Sequence, residues 1–500
     1  MKSAILWSSF ALSFIASGIS CSGQPNVLLL YADDMGYGDL GANNPASKIP
    51  TPNLDRLAAE GLRFTDGHSS SGICSPSRYA LLTGRHHWRD FHGIVGSLGP
   101  SVFRKDQVTL PQMLRENGYT TACIGKWHLG WNWDAIRRPG TPDESIKYTD
   151  FDWSKPVPDG PLDHGFDQYF GDSVINFPPY AWINDNRLVR PPDTNFTENP
   201  IAPKEGSWQC RPGPAWSDWD FYRNLPTLTQ KAVEYVRSRK GRSQPFFLYM
   251  AFPSPHAPII PNDEFDGKSK AGAYGDYVFQ TDDACGRLLS ALREAGQDRN
   301  TIVIFTADNG PENFAYARDA KFDHWSSMPF RGLKRDTYEG GHHVPFLIKW
   351  PGVTKPGAVT DVLISQVDLM ATLGAMSDYD LPRDAAEDSH NFLPWLQGRT
   401  QTPPRTTIVH NTSAGEYAIR NGDWLLVDGK SGYNSHPAPP QWNAKHHQPP
   451  DDNQPVELYN LKDDMGQRHN LAAKHPERIA ELKALLRKLR EQGHSAPRLD

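Results

Sequence analysis

Four apolar stretches of this sequence each run into residues able to do chemistry. Asn26–Ala32 runs into Asp33-Asp34. Tyr119–Ile124 runs into Gly125-Lys126-Trp127-His128-Leu129-Gly130. Pro245–Phe252 runs into Pro253-Ser254-Pro255-His256, and Thr301–Thr306 runs through Ala307 into Asp308-Asn309-Gly310. Asp33, Asp34, Asp308 and Asn309 offer only oxygen ligands. Adjacent carboxylates repel unless something positive lies between them, and a hard divalent cation, calcium or magnesium rather than zinc, answers that need. The bland alternative is that Asp33-Asp34 caps a helix and Asp308-Asn309-Gly310 makes a turn.

A fifth stretch, Cys74-Ser75-Pro76-Ser77-Arg78, is closed by Leu82-Thr83-Gly84-Arg85. It puts a thiol at the start of a short helix. Ser75 is suited to cap that helix, Pro76 to occupy its first position and Gly84 to end it. A helix N-terminus attracts anions, and Arg78 lies one turn in, so the local physics describes a nucleophile or its precursor beside an anion site. The competing reading of Cys74 is a buried structural thiol. Lys126 and His128 alternate across Trp127 and, on an extended stretch, face one side. His256 sits between prolines, and its titration near neutrality makes it a candidate proton carrier.

These residues need a scaffold that gathers them. Helical patterns at 53–60, 110–117, 227–239 and 277–295 lie between the apolar runs, with a further run at Pro345–Lys349. Strands alternating with helices predict an α/β fold, a large mostly parallel or mixed central sheet covered by helices on both faces. In such a sheet the carboxyl ends of parallel strands share one edge, where α/β proteins build their sites. After about Asp380 the texture changes. Residues 434–455, rich in Pro, His, Asn and Gln, read as a long loop. Val456–Leu461 follows it. Residues 476–492 place Ile479, Leu482, Leu485, Leu486 and Leu489 on one helical face. The expected division is a signal peptide at 1–22, a catalytic domain at 25–379 and a small C-terminal α+β subdomain at 380–500.

The 500-residue chain carries a net charge of −6 and no basic run, which argues against nucleic acid as its main partner. Lys2, an apolar stretch from Ala4 to about Ala16 and the small residues after it form an export signal too short to span a bilayer. The protein is therefore expected to be periplasmic or secreted, with no transmembrane segment. Cleavage near Ser20 to Gly23 is one processing route, and a lipid anchor on Cys21 is the other. Asn195-Phe196-Thr197 and Asn411-Thr412-Ser413 match the glycosylation sequon.

Cys-Ser-Pro-Ser-Arg with Leu-Thr-Gly-Arg resembles the signature of the type I sulfatases, in the alkaline phosphatase superfamily. The order of Asp33-Asp34, Lys126/His128, His256, Asp308-Asn309 and the segment Lys334 to Gly341 with Val344-Pro345 and Trp350-Pro351-Gly352 is similar to that family's. The resemblance runs from about Asn26 to Gly352, and Glu457–Asp464 resembles the family's C-terminal subdomain. It implies that Cys74 is converted to formylglycine by a formylglycine-generating enzyme, and that the hydrate attacks sulfur. It implies that Asp33, Asp34, Asp308, Asn309 and the modified Cys74 hold calcium, with magnesium the second choice. Arg78, Lys126 and Lys334 would hold the sulfate, His256 would protonate the leaving alcohol and His128 would take a proton from the second hydroxyl. With Cys21 and Cys74 set aside, Cys123, Cys210 and Cys285 allow at most one disulfide. The implied substrate is a sulfate ester, an aryl sulfate or a sulfated glycan such as a glycosaminoglycan, with sugar and position open. Segments 172–185, 314–327 and 434–455 are candidate specificity loops. Ser173 departs from the family's pattern and is not assigned to the site. A phosphodiesterase or phosphonate monoester hydrolase on the same scaffold, or a non-catalytic binder of sulfated glycans, are the competing functions.

Overall fold

The computed structural model describes residues 23–434, 436–450 and 452–497. The stretch read as an export signal, with Cys21, lies outside the described residues. A ten-stranded sheet forms the centre. Its order is Ala358–Thr360, Leu62–Phe64, Phe346–Lys349, Thr301–Ala307, Asn26–Ala32, Phe246–Ala251, Thr120–Lys126, Gln168–Ser173, Ile183–Asn184 and Arg187–Leu188. The four runs with chemistry at their ends are the four adjacent inner strands, all parallel. The sheet is mixed, because the Pro345–Lys349 run pairs antiparallel with Thr301–Ala307 and the far edge closes with antiparallel pairs.

The inner strands are apolar on both faces because both faces are covered. Leu28, Leu30, Leu248, Met250, Val303 and Phe305 pack against Leu54 and Leu57 of helix Pro52–Glu60, Leu228 and Val233 of Asn224–Ser238, and Leu288 and Leu292 of Gly272–Glu294. The alternate residues Val27, Leu29, Phe247, Tyr249, Ile302 and Ile304 point the other way. They meet Leu81 and Leu82 of helix Cys74–Thr83, Met113 and Leu114 of Leu110–Glu116, and Met370 and Leu373 of Leu369–Met376. The period of two along each strand thus feeds two cores at once.

A second sheet, four-stranded and antiparallel, runs Thr407–Asn411, Tyr417–Asn421, Trp424–Val427 and Glu457–Asn460. Helix Pro476–Glu491 lays Leu482, Leu486 and Leu489 on Ile419, Leu426 and Leu458. The long loop read at 434–455 contains a short helix, Pro440–Lys445. Its Trp442 packs on Trp325 and Tyr316, with ring centroids 4.7 and 5.5 Å away. Aromatic burial there overrides a composition that otherwise signals loop. Cys74, Cys123, Cys210 and Cys285 are buried free thiols, so no disulfide forms among the described residues. No helix of the described residues is long and apolar enough to cross a membrane.

Candidate active site

The carboxyl ends of the inner strands and the N-terminus of the Cys74 helix converge on one buried cluster. Asp33 leaves the Asn26–Ala32 strand and Asp308 leaves the neighbouring Thr301–Ala307 strand. The backbone N–H of Asp308 donates to Ala32 O at 3.0 Å and that of Asp34 to Asp308 Oδ1 at 3.1 Å, which ties the two strand ends together. The turn after Asp308 requires glycine. A Cβ on Gly310 would lie 1.9 Å from Gly340 O, in the segment that carries Lys334.

Each carboxylate has a cationic partner. Lys126 Nζ lies 2.6 Å from Asp33 Oδ2. Lys334 Nζ lies 2.7 Å from Asp34 Oδ1. Arg78 Nε and Nη2 both donate to Asp308 Oδ2, at 3.1 and 2.8 Å, while its Nη1 donates to Lys126 O at 3.2 Å. All six side chains are buried. Burial opposes the charge on Lys334 and Lys126, but Asp34 and Asp33 beside them win, and both ammonium groups are held above the ordinary lysine range. Burial likewise opposes the Asp34 carboxylate, and Lys334 with His256 overrides it, holding Asp34 well below the usual carboxylate range.

Cys74 Sγ lies 3.8 Å from Asp33 Oδ1. Burial, only partly offset by Lys126 and Lys334, pushes its thiol up to about 12. As a thiol it stays protonated and is a poor nucleophile at neutral pH. The helix starts at Cys74, with Ile73 as its cap residue and the Ser77 N–H donating to Ile73 O at 3.2 Å. Ser75 is therefore not the cap, and Pro76 lies in the third helical position. Ser75 Oγ donates instead to His128 O at 2.7 Å and accepts from Val95 N at 3.1 Å, fastening the His128 turn to the helix. Gly84 ends the helix at φ 64°, as its residue type suggests.

The extended stretch expected through Lys126 and His128 stops at Lys126. His128 lies in the left-handed region at φ 56°, as do Asp34, Ser173 and Arg335, at 64°, 63° and 79°. Such conformations in non-glycine residues cost on the order of 1–3 kcal/mol each and cluster where side chains must be aimed. His128 Nε2 faces Val95 O at 3.1 Å, so that nitrogen carries the proton, and the buried Nδ1 is left with a free lone pair. Burial, with Lys126 and Arg78 nearby, holds His128 well below 6.5 and therefore neutral. His256 Nδ1 faces Ala257 O at 2.5 Å, and its Nε2 lies 3.8 Å from Asp34 Oδ2. His256 is pushed down to about 3 by burial and by Lys334. Its side chain, 13 % exposed, sits at the solvent side of the cluster.

The oxygen donors suit a hard cation. Asn309 Nδ2 donates to Asp34 Oδ1 and to Gly310 O, and this orients the amide so that Oδ1 is buried without a partner. Asp33, Asp34, Cys74 and His256 bring one ligand atom each within 4.8 Å of one another. An unpaired buried amide oxygen on a residue that contacts the Asp34 carboxylate and follows Asp308 in the chain is the donor chemistry that calcium or magnesium takes.

Some neighbours carried no motif. Glu312 accepts from Arg335 Nη1 and Nη2, at 2.8 and 2.9 Å, and lies 3.8 Å from Lys334 Nζ. Its place four residues after Asp308 is the only local signal. Tyr249 Oη accepts from Arg78 Nη1 at 3.4 Å, and the guanidinium carbon lies 5.2 Å from the Tyr31 ring centroid. Both tyrosines look like ordinary strand residues in the sequence. Ser173 Oγ accepts from Trp131 Nε1 at 3.3 Å.

A family model described as Sulfatase matches residues 25–379. The chain is 32% identical to N-acetylgalactosamine-6-O-sulfatase of Bacteroides thetaiotaomicron, over 93% of each chain. It is 34% identical to mouse N-acetylgalactosamine-6-sulfatase, over 83% of this chain and 75% of that one. A solved structure from work on the metabolism of multiple glycosaminoglycans by Bacteroides thetaiotaomicron superposes with a TM-score of 0.78 at 30% identity, over 94% of this chain and all of that one.

Proposed function

The chain belongs to the sulfatase family and is a sulfuric ester hydrolase, and from that premise we propose that it removes sulfate from sulfated carbohydrates, 6-sulfated N-acetylgalactosamine units first among them, using a formylglycine made from Cys74 and a bound calcium ion. The names of the relatives support this substrate class. The observation that carries the reading is the setting of Cys74: a thiol pushed up to about 12, one helical turn from Arg78 and among oxygen donors. That setting suits an oxygen nucleophile better than a thiolate. We assign the catalytic domain to 25–379, the small subdomain to 380–500 and the export signal to 1–22.

Once made and bound, the formylglycine would supply a hydroxyl nucleophile and calcium would supply positive charge opposite the sulfuryl oxygens. Asp33, Asp34, Asp308 and Asn309 would hold the cation, together with residue 74. Lys126, Lys334 and Arg78, the three buried cations of the cluster, would hold the anionic oxygens of the ester. His128 keeps a neutral ring with a lone pair on Nδ1, which suits a general base. His256 has its Nδ1 committed to Ala257 O, so its Nε2 would carry the proton given to the leaving alcohol, and the negative charge of the arriving ester favours that protonated form.

The test is sulfate release by chain co-produced with a formylglycine-generating enzyme, with aryl sulfate, 6-sulfated N-acetylgalactosamine oligosaccharides and a phosphodiester as substrates. Release from the sulfated sugar by the wild type and none by Cys74→Ala supports the proposal. Turnover of the phosphodiester alone, or sulfate release by Cys74→Ala, removes it.

A further inference from the structure

Beside the loop that delivers Cys74 lies a second group of metal-ligating side chains, none of which belongs to the sulfate site. His68 comes from the short strand Gly67–His68, His342 from the short helix Glu339–His342, and His410 from the strand Thr407–Asn411 of the C-terminal sheet. All three are buried, and one ring nitrogen of each lies within 4.8 Å of the others.

The hydrogen bonds decide where the protons are. His68 Nε2 lies 2.8 Å from Asp66 Oδ1, and Asp66 also accepts from Arg420 Nη1 and Nη2, at 2.7 and 2.8 Å. Asp66 is therefore an ionised acceptor, and His68 Nε2 donates to it. His342 Nε2 lies 3.3 Å from Thr337 O. A carbonyl only accepts, so that nitrogen donates too. In neutral rings both Nδ1 atoms then carry lone pairs, and these two atoms face each other 3.1 Å apart. Two lone pairs at that distance repel unless a cation lies between them. The separation is close to the edge of a tetrahedron around zinc, about 3.3 Å for bonds of roughly 2.05 Å. The Asp66 carboxylate behind His68 is the outer-shell partner that fixes the tautomer of metal-bound imidazoles.

His410 supplies the third donor. Both of its ring nitrogens are buried without a partner. Its ring stacks on His342 with centroids 3.3 Å apart and an 11° tilt, so it must turn to aim a lone pair inward. That turn breaks no hydrogen bond. His343 is not a ligand, because its nitrogens face Glu339 Oε2 at 2.9 Å and Thr65 O at 2.7 Å.

We propose that His68, His342 and His410 form a second cation site that takes a zinc-type divalent transition ion and fastens the C-terminal sheet to the catalytic body. Three imidazoles select such an ion over calcium, which requires oxygen ligands. The site would also steady the loop in front of Cys74. Ser69 N donates to His342 O at 2.9 Å, and Ser71 Oγ donates to Asn411 O at 2.8 Å. This inference does not depend on the substrate assigned above.

The test uses the untagged full chain in buffer with excess calcium. Zinc per chain is measured by elemental analysis after equilibration with stoichiometric zinc and removal of the unbound metal, and the melting temperature is followed with and without zinc. The expected result is about one zinc per wild-type chain and a rise in melting temperature of about 2 °C or more. His410→Phe, which keeps a stacked ring, and His68→Gln should lose both. Wild-type chain without bound zinc and without a zinc-dependent shift overturns the proposal, and leaves the two Nδ1 atoms sharing a proton. Equal zinc in both variants overturns it as well. Should either variant fail to fold, the wild-type stoichiometry and shift decide alone.

Discussion

Asn309 donates through Nδ2 to Asp34 Oδ1 at 2.7 Å, and that bond leaves Asn309 Oδ1 buried and unpaired. A neutral amide thereby spares one carboxylate oxygen from facing another and still offers the site a donor of its own. Asn309→Leu removes both functions. Calcium affinity should fall at least about tenfold, the size of loss seen when even outer-shell partners are removed. Calcium titration of the variant by calorimetry checks this, and unchanged affinity would remove Asn309 from the cation site.

Arg78 reaches three groups at once: Asp308 Oδ2, Lys126 O and Tyr249 Oη. A lysine can follow the same path but cannot span all three acceptors. Arg78→Lys should keep the fold while lowering kcat/KM by on the order of 100-fold or more, comparable to losing one transition-state donor. Arg78→Met leaves Asp308 without its partner and should cost about 3–5 kcal/mol of stability. Steady-state kinetics and denaturant unfolding separate the two losses. Full activity in Arg78→Lys would show that the reach of the guanidinium to all three groups is not used.

Burial rather than chemistry protects Cys74 before it is modified. Chain made without an activating enzyme should resist iodoacetamide at pH 8 in the native state, since the thiol is pushed up to about 12. Peptide mapping should find carboxymethyl at residue 74 only after unfolding. Rapid native labelling would mean that the thiol is open and partly ionised.

The strand ends were readable because a parallel strand covered on both faces must be an unbroken apolar run, and polar residues mark where it stops. Asn26–Ala32 shows this residue for residue, and the Thr301–Thr306 run continues as strand one residue further, through Ala307. The tertiary use of single side chains was not readable. Ser75 has the composition of a cap, yet its hydroxyl serves the His128 turn, because the helix already starts at Cys74. His128 has the spacing of an extended stretch, and the chain breaks that spacing with a left-handed residue. Glu312 has no motif, and its role exists only because the Lys334 segment folds back over it. His68, His342 and His410 share no local spacing, so only a fold that joins the two sheets reveals them.

The terminal helix owes its place to one apolar stripe. Leu486 is buried against the strands of the C-terminal sheet. Leu486→Ala should cost about 2–5 kcal/mol through lost contact and the cavity left behind. The kcat of the folded fraction should stay unchanged, because the residue touches nothing in the sulfate site. Chemical denaturation paired with active-site titration checks both halves, and a fall in kcat per folded molecule would show that the helix acts on the site.

His87 gives the clearest pH signature. Its Nε2 bonds Asn411 Oδ1 at 3.2 Å, its Nδ1 is buried without a partner, and burial with His86 beside it pushes it down to about 3. The unfolded chain protonates this residue near about 6.5. Between those values the unfolded state binds one more proton than the folded state. The stabilisation from His87 is therefore present above about 6.5 and lost as pH falls toward the folded value, at about 1.4 kcal/mol per unit. His87→Gln keeps a polar group and cannot titrate. At pH 7.5 the variant should be the less stable chain, for lost packing. By pH 5.0 the wild type should have given up about 2 kcal/mol that the variant keeps, so the gap narrows or reverses. Other titrating groups, including Asp336 and Asp282, which burial pushes up to about 7 and about 6, cancel in this comparison because both chains carry them. Urea unfolding of the two chains at both pH values measures it. A gap that stays constant with pH would mean that His87 takes up its proton in the folded state as readily as in the unfolded one.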